Sequence, residues 1–325
     1  MPSPPVELAI YVGGHSNEDP VAAYLEGGAA YADHLLAALP AGFDLGGTRV
    51  LDYGCGSGRI MRHMVERGTG AVFEGCDIHR PSVEWLAAHL AAPHTVFVGG
   101  EMPPLDRPDG RYRMIYATSV FTHLAASWSR WLLELHRLLD DDGLLMVTHI
   151  GPSFAETFGE DPWREDRIGM LTLAPGNPWE AGGPMVLHSE WWVRAHWGRC
   201  FEVLSFEPDG FGSAPGTPGS QGLIVLRKRP IVLAPEQLET LEPGEPREIE
   251  ALQHALRRAH TESIELNIYL NAYVGAYKQE ATRSAALSER LEATEADLHA
   301  KLRQAERPRN AARAVVRGVR ARLRG

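Results

Sequence analysis

The most constraining feature of this chain is a short apolar segment that leads directly into three alternating glycines. Val50–Tyr53 has the composition of a buried strand, and Gly54, Gly56 and Gly58 follow it, with a helical pattern continuing to Arg67. Glycines here let the backbone approach a ligand closely, at the strand-to-helix turn where open α/β sheets bind cofactors. The pattern predicts an α/β sheet with a ligand at the end of its first strand.

Short apolar segments alternate with amphipathic segments from about residue 41 to residue 229. The predicted strands are Thr48–Tyr53, Ala71–Cys76, Thr95–Val98, Met114–Ala117, Leu144–His149, Phe201–Phe206 and Leu223–Lys228. The predicted helices are Gly58–Arg67, Ser82–Leu90, Ser127–Leu139 and Ser189–Gly198. Strand followed by helix, repeatedly, indicates a mostly parallel sheet covered on both faces, here with an antiparallel pair at its end.

The chain is predicted to divide into parts around this domain. Residues 1–40 form an N-terminal helical cap, and a proline-rich linker at 230–246 follows the domain. Residues 150–187 carry five prolines and little periodicity. A segment of this length is more often functional than a passive connection, so we predict a lid over the carboxyl edge of the sheet.

Residues 247–307 are predicted to form a long helical arm, because they contain no proline and one glycine, and apolar residues recur at spacings of three and four. These residues are Ile249, Leu252, Leu256, Ala259, Leu266, Leu270, Tyr273, Tyr277, Leu287, Leu291 and Leu298. The spacing suits a coiled coil or a helical hairpin, with Ser284 and Thr294 interrupting the core positions. We expect homo-oligomers through this arm.

The charge of the chain is distributed unevenly. The net charge is −10, yet Arg307 to Arg324 includes seven arginines and no acidic residue. The acidic body argues against nucleic-acid binding. Residues 308–325 are predicted to be a basic tail that makes peripheral contact with an anionic membrane surface, or that only solubilises the chain.

Composition also limits the compartment and the cysteine chemistry. No apolar segment reaches the ~18 residues of a membrane span, and the N-terminus lacks the pattern of a signal peptide, so we expect a cytoplasmic protein, peripheral at most to the inner membrane face. Cys55, Cys76 and Cys200 are far apart without a Cys-x-x-Cys pair, which excludes a disulfide scaffold and a thiolate zinc site.

The spacing of the glycine loop distinguishes between cofactors. Asp52–Gly58 reads Asp-x-Gly-x-Gly-x-Gly, unlike the Gly-x-Gly-x-x-Gly of dinucleotide folds, and resembles motif I of the class I S-adenosylmethionine-dependent methyltransferases. Arg111–Leu124 resembles the fourth-strand motif of that family, Leu138–Leu145 its turn into the fifth strand, and Gln221–Leu226 its closing strand. The resemblance implies a Rossmann-like, seven-stranded sheet and S-adenosylmethionine as cofactor.

The resemblance also implies roles at the first two strand ends. Gly54, Gly56 and Gly58 are expected to line the methionine part of the cofactor, with Asp52 near its ammonium group. Asp77 ends the next strand, where its carboxylate is expected to accept both ribose hydroxyls.

Two further loops are implicated by the same resemblance. Glu101 and Met102 are expected to flank the adenine, although Gly99 and Gly100 stand where many relatives carry an aspartate. Thr118 and Ser119 are expected to lie under the methionine carboxylate.

The chemistry requires a residue that can take a proton from a hydroxyl acceptor. His123, after the fourth strand, and His149, at the end of the fifth, are the candidates; helix capping and hydrogen bonding to the lid backbone are their alternatives. Asp140–Asp142 lie on a predicted turn at the edge remote from the cofactor, so no metal site is predicted. Four tryptophans are candidates to stack on a sugar ring or to fill the core: Trp163, Trp179, Trp191 and Trp192.

The acceptor is inferred by analogy. The fourth-strand motif, the aromatic lid and the long arm resemble methyltransferases of glycan biosynthesis, so the expected acceptor is a sugar hydroxyl of a glycan precursor. The alternatives are a small-molecule methyltransferase of secondary metabolism and a non-catalytic scaffold protein.

Overall fold

A computed structural model describes residues 1–11, 18–158, 163–177 and 183–322. The chain forms two compact units, Met1–Arg258 and Ala259–Gly325. The first unit contains a seven-stranded sheet of order β3-β2-β1-β4-β5-β9-β8. Its strands are β1 (Arg49–Tyr53), β2 (Val72–Asp77), β3 (Thr95–Val98), β4 (Tyr112–Ala117), β5 (Leu139–His149), β8 (Phe201–Glu207) and β9 (Gly222–Lys228). The first five are parallel, and β9 and β8 are antiparallel to their neighbours, which confirms the predicted fold class.

The helices of the first unit surround this sheet. They are α1 (Val6–Ala9), α2 (Pro20–Ala37), α3 (Met61–Glu66), α4 (Arg80–His89), α5 (Trp128–Leu138), α6 (Pro152–Phe158), α7 (Glu190–His196) and α8 (Pro235–Glu239). The side chain of Asp19 caps α2 by accepting from the amides of Val21 and Ala22. Both α1 and α2 lie in the predicted N-terminal helical cap.

Apolar side chains bury the sheet from both faces. On one face, Leu51, Ile115 and Leu145 pack in a cluster with Leu132 and Leu135 of α5. On the other face, alternate residues of the same strands pack in a second cluster with α3 and α4: Val50, Met114, Met146, Met61 and Leu86. The parallel strands therefore have apolar residues in succession, because both of their faces are covered.

Two local predictions are corrected by the structure. Residues 57–60 form turns, so the helix after the glycine loop begins at Met61 instead of Gly58. Asp140–Asp142 belong to the start of β5 and not to a turn; the pairing of β4 with β5 shifts register there. The acidic run hid this strand start, since carboxylates are disfavoured in strands and favoured in turns.

The predicted lid contains regular structure. Besides α6, it forms an antiparallel hairpin of β6 (Met170–Leu173) and β7 (Met185–His188), and Leu187 of β7 also bridges Ile150. Four-residue strands are too short to show a period, which is why β6 and β7 are missing from the predicted strands. The parts at 159–162 and 178–182, including Trp179, lie outside the described residues.

The C-terminal arm is one continuous helix, α9 (Arg247–Arg322). It continues past the predicted boundary between residues 307 and 308, so the helical-hairpin alternative is wrong. Its apolar residues are exposed from Leu256 to Leu298. Within the described part of the chain, no helix combines the length and the apolar character that crossing a membrane requires.

Candidate functional site

The glycine loop is held against the ends of two neighbouring strands. Gly54, Gly56 and Gly58 have φ values of 86°, 50° and 80°, which residues with a side chain rarely adopt. The amide of Gly54 donates to the Cys76 carbonyl (2.8 Å) at the end of β2. A Cβ added to Gly54 would overlap the Cγ2 methyl of Val120 in the loop after β4. The loop thus requires glycine both for its conformation and for its close packing.

Asp77 organises the turn between β2 and α4. One carboxylate oxygen accepts from the amide of Gly56 (2.7 Å) and the other from the amide of His79 (2.8 Å). Burial raises the pKa of Asp77, while these amides oppose the shift. The carboxylate therefore lies beside the glycine loop.

Asp52 is a buried carboxyl group on β1. Its Oδ2 accepts from the Tyr116 hydroxyl (2.9 Å), and burial raises the pKa of Asp52 to about 8. No basic side chain among the described residues forms an ion pair with it. A buried carboxylate without a counter-charge is costly, so this position suits a cationic group supplied by a ligand.

The loop after β4 is strained where it meets the glycine loop. Ser119 has φ of 57°, in the left-handed region, and its amide donates to Thr148 Oγ1 (2.7 Å). The side-chain amide of Gln221 donates to Ser119 Oγ (2.9 Å). Thr118 Oγ1 is buried without a hydrogen-bond partner. Strain and an unpaired hydroxyl together are typical of a ligand-binding position.

The end of β3 adds exposed apolar groups. Val98 pairs with Asp77, which brings the following residues Glu101 and Met102 to the same edge of the sheet. Met102 and Ile78 each expose 47% of their surface. The main-chain carbonyl of Glu101 accepts from the Trp131 indole (3.3 Å). Two exposed apolar side chains near a carboxylate suit a flat ring that is joined to a polyol.

His123 is half-buried in the loop after β4. Its Nδ1 lies 2.7 Å from the carbonyl oxygen of Pro184, which can only accept, so Nδ1 carries the hydrogen. The basic lone pair is then on Nε2. Burial lowers the pKa of His123, which keeps the ring neutral near pH 7.

His149 is fully buried at the end of β5, on the sheet face opposite to Asp52. Its Nε2 donates to the Glu207 carbonyl (2.9 Å), and its ring packs on Phe206 at 4.3 Å between centroids. Burial lowers the pKa of His149 to about 4. The proton-accepting nitrogen, Nδ1, lies beneath the lid.

The predicted site residues thus gather at one edge of the sheet, at the carboxyl ends of β1 to β5. Sequence reasoning missed four residues that support them: Tyr116, Thr148, Gln221 and Ile78. The only sequence signal was at Ile78, an apolar residue that directly follows Asp77. The partners of Asp52 and Ser119 come from other strands, and nothing in their local sequence identifies them.

The remaining candidates do not form a second centre. Trp191 and Trp192 are buried in the core, and Trp163 donates to Glu165. Across the described ranges, no group of three His, Cys, Asp or Glu side chains is arranged to hold a metal ion. A surface groove of about 760 Å³ beside α7 has its charges paired, for example Arg194 with Glu190 and Arg199 with Glu242.

Residues 23–207, more than half of the chain, match the sequence model of a family described as "Methyltransferase domain". A curated relative, phthiotriol/phenolphthiotriol dimycocerosates methyltransferase 1 of Mycobacterium ulcerans, is 26% identical over 150 residues, which are 46% of this chain and 51% of that protein. The chain therefore matches about half of the length of this relative.

Solved structures with similar folds include two bacterial proteins. An S-adenosylmethionine-dependent methyltransferase from Mesorhizobium loti is 18% identical, with a TM-score of 0.46 over 61% of this chain and 98% of that one. A TehB-like methyltransferase from Corynebacterium glutamicum is also 18% identical, with a TM-score of 0.41 over 62% of this chain and 88% of that one.

Proposed function

The chain belongs to the methyltransferase-domain family, and from that premise we propose that it methylates a hydroxyl oxygen of a sugar or glycan precursor. The family uses S-adenosylmethionine, whose sulfonium methyl is already activated for transfer. The observation that carries a hydroxyl acceptor is His123, a neutral imidazole with its basic nitrogen fixed by the bond to Pro184. Such a group can take the proton that a hydroxyl loses.

We propose that the predicted cofactor residues hold S-adenosylmethionine along the carboxyl edge. Asp52 pairs with its ammonium group, because a buried carboxyl without a counter-charge fits a cation. Asp77 accepts from the ribose hydroxyls, and Ile78 and Met102 enclose the adenine. Thr118 and Ser119 supply the polar contacts to the carboxylate.

The proposed base is tested by replacing His123 with asparagine, whose side-chain amide nitrogen stands near the position of Nδ1 and keeps a hydrogen-bond donor to Pro184, while the basic Nε2 is removed. We expect turnover to fall about 100-fold or more, while the affinity for S-adenosylhomocysteine stays within about twofold. Production of S-adenosylhomocysteine measures turnover, and calorimetry measures binding. Unchanged turnover in H123N would exclude His123 and leave His149 as the candidate base.

The acceptor class is tested with matched acceptors on the full chain. Neutral glycosides, a glycolipid precursor and polyketide alcohols are each incubated with S-adenosylmethionine, and methylated products are identified by mass spectrometry. Transfer to a sugar oxygen supports the proposal. Transfer only to non-sugar alcohols would contradict it.

The second candidate is a small-molecule methyltransferase. The Mycobacterium ulcerans relative is named for phthiotriol and phenolphthiotriol dimycocerosates. This name is the reason for including non-sugar alcohols among the acceptors that are incubated with the full chain. The same residues serve both candidates, so the product decides between them.

We also propose that the arm forms homo-oligomers with a second copy of this chain. The heptad register, with alternating steps of three and four residues, continues without a shift from Ile249 to Ala305. Polar residues occupy several of its core positions. Leu266 and Tyr277 on this stripe expose 70% and 68% of their surface. In a parallel pair, Arg290 at a g position faces Glu295 at the e position of the other copy.

The oligomer is tested by light scattering coupled to size-exclusion chromatography. Wild type is expected at a multiple of the 35.7 kDa chain mass. Leu270→Glu, on the stripe, is expected to shift it to monomer. Ile268→Glu is the matched control, because Ile268 is as exposed but lies on the opposite side of the helix. Equal masses for both variants would contradict the stripe as the interface.

The arginine-rich tail is proposed to attach a cytoplasmic enzyme peripherally to an anionic membrane. Each basic residue near such a surface contributes roughly 1 kcal/mol. The full-length chain with the seven arginines from Arg307 to Arg324 changed to glutamine is compared with wild type in co-sedimentation with phosphatidylglycerol vesicles. Wild type alone should pellet; equal pelleting of the two would exclude the membrane proposal.

A further inference from the structure

Five uncharged side chains from the loop after β4, the end of β5 and the segment from His188 to Trp197 carry six polar atoms without a hydrogen-bond partner. The atoms are Thr122 Oγ1, His149 Nδ1, His188 Nδ1 and Nε2, Ser189 Oγ and Trp197 Nε1. All five residues are buried, and we call them the buried polar cluster. Folded proteins pair nearly all of their buried polar groups, so such a concentration points to a ligand.

The members of the cluster come from three separate segments that the lid brings together. The centroid of the His188 ring lies 5.3 Å from that of the Trp197 ring. His149 is close enough to His188 to oppose protonation of the His188 ring. The amide of Val186 donates to the Thr122 carbonyl (2.7 Å), and the amide of His188 donates to the Ile150 carbonyl (3.0 Å). Strand β7 is therefore held between the loop after β4 and the end of β5.

The cluster adjoins the proposed site of methyl transfer. Pro184, directly before β7, accepts from His123, and Thr122 is the neighbour of His123 in the chain. Thr148, next to His149, holds the strained Ser119. The cluster is thus connected to both the proposed base and the loop proposed to contact the cofactor.

The chemistry of the cluster selects neutral hydroxyl groups. Burial lowers the pKa of His149 to about 4 and that of His188 to about 3, so both rings are uncharged near pH 7. A neutral imidazole has one donor and one acceptor, and a hydroxyl is both. A charged ligand would lose its hydration without gaining a counter-charge. The rings of Trp192 and Trp197 beside His188 add flat apolar surface.

We propose that the buried polar cluster is the acceptor subsite of this methyltransferase and that it binds the hydroxyl groups of a neutral sugar ring. The inference rests on the proposed function and gives it a structural basis independent of the sequence resemblance. Entry of the sugar requires the two hydrogen bonds from β7, at Val186 and His188, to open. Bound hydroxyls then supply the partners that the six atoms lack.

The test uses the full chain with S-adenosylhomocysteine and two probes, methyl α-D-glucopyranoside and methyl α-D-mannopyranoside, in saturation-transfer NMR. Glucose 6-phosphate and cyclohexanol are the charged and apolar comparators. Wild type is expected to bind at least one glycoside and to bind the comparators about tenfold more weakly. If it binds neither glycoside, the subsite assignment is overturned.

Two conservative variants separate ligand binding from structural support. Ser189→Ala and Thr122→Val remove unpaired hydroxyls, so both should melt at or above the wild-type temperature, bind S-adenosylhomocysteine unchanged and lose about tenfold or more in glycoside affinity. Ser129→Ala is the matched control, since this buried hydroxyl already donates to Glu239. Ser129→Ala should melt at a lower temperature than wild type and bind glycosides with the wild-type affinity.

The outcomes distinguish the subsite from the function. Variants that bind glycosides as wild type does, or that melt well below it, overturn the subsite and leave methyl transfer intact. Methyl transfer to a charged or apolar acceptor, without glycoside binding, would also overturn the subsite and leave methyl transfer intact. Failure of wild type to bind S-adenosylhomocysteine would remove the proposed function and this inference together.

Discussion

The carboxyl edge of the sheet has two halves, one at the ends of β1 and β2 and the other at the ends of β4 and β5. The polar groups of these halves are hydrogen-bonded to different extents. At the ends of β1 and β2, both oxygens of Asp77 are satisfied by amides of Gly56 and His79. At the ends of β4 and β5, beneath β7, His188 has no hydrogen bond on either ring nitrogen. The first half is preorganised by backbone amides, whereas the second has polar atoms that only the proposed sugar would pair.

This difference follows from how each half is assembled. The proposed cofactor half comes from one continuous segment, Asp52–Gly58, and from the next strand end. The proposed acceptor half requires residues around 122, 149 and 188 to meet, and two hydrogen bonds from β7 join these segments. A preorganised half suits a ligand that the whole family uses, and an unpaired half suits a ligand specific to this chain.

The comparison is tested most strongly at Gly54. Gly54→Ala imposes a φ of 86° on alanine and overlaps Val120, so we expect affinity for S-adenosylhomocysteine to fall about 100-fold, or about 2.8 kcal/mol. Gly42→Ala is the control, because Gly42 has a similar φ of 79° but open space around it. It should cost about 1 kcal/mol of stability without affecting binding. Equal calorimetric affinities for the two variants would refute a preorganised loop.

Asp52 gives the second largest effect, and it depends on pH. Its pKa of about 8 means that the carboxyl must lose a proton to pair with the ammonium group, so affinity should rise up to about tenfold per pH unit from pH 6 to 8. Because the folded pKa is raised, the stability that the protonated group contributes without ligand is lost as pH rises toward 8. Asp52→Asn should remove both dependences. Calorimetry at three pH values measures the affinity, and urea unfolding at the same pH values measures the stability. If both quantities change with pH in D52N as they do in wild type, the pairing of Asp52 with the ammonium group is excluded.

The smallest expected effect concerns acid stability of the acceptor half. The folded pKa values of His149 and His188 are lowered to about 4 and about 3, so their contribution is complete above pH 6.5 and is lost as pH falls toward these values. Each histidine adds up to about 1.4 kcal/mol per pH unit to the slope. His188→Phe should remove one of the two contributions in urea unfolding between pH 7.5 and 5. An unchanged slope would show that His188 is not buried in its neutral form.

Much of the fold was predictable because its signals are local. Apolar strands alternating with amphipathic helices specify a covered parallel sheet, and β1 with its glycine loop was located within one residue. The long helix was also predictable, since its 3-4 spacing is continuous. The start of β5 and the hairpin of the lid were not, because acidic residues and four-residue strands carry no clear period.

The candidate site was predictable where a motif is contiguous. Asp52, Gly54 and Asp77 follow from their spacing and from the family resemblance. The sequence did not predict the residues that hydrogen-bond to Asp52 and Ser119, which are Tyr116, Thr148 and Gln221. Each of these residues lies on another strand or loop.

The amino-acid sequence by itself determined the strands, the glycine loop and the long helix, since the pattern of each depends on residues close together in the chain. Only the tertiary structure decided the protonation and pairing of the buried groups. Burial raises the pKa of Asp52 and lowers those of His149 and His188, and burial depends on what the rest of the chain packs over them. The unpaired polar atoms beneath β7 are buried because three segments that are distant in the chain meet there.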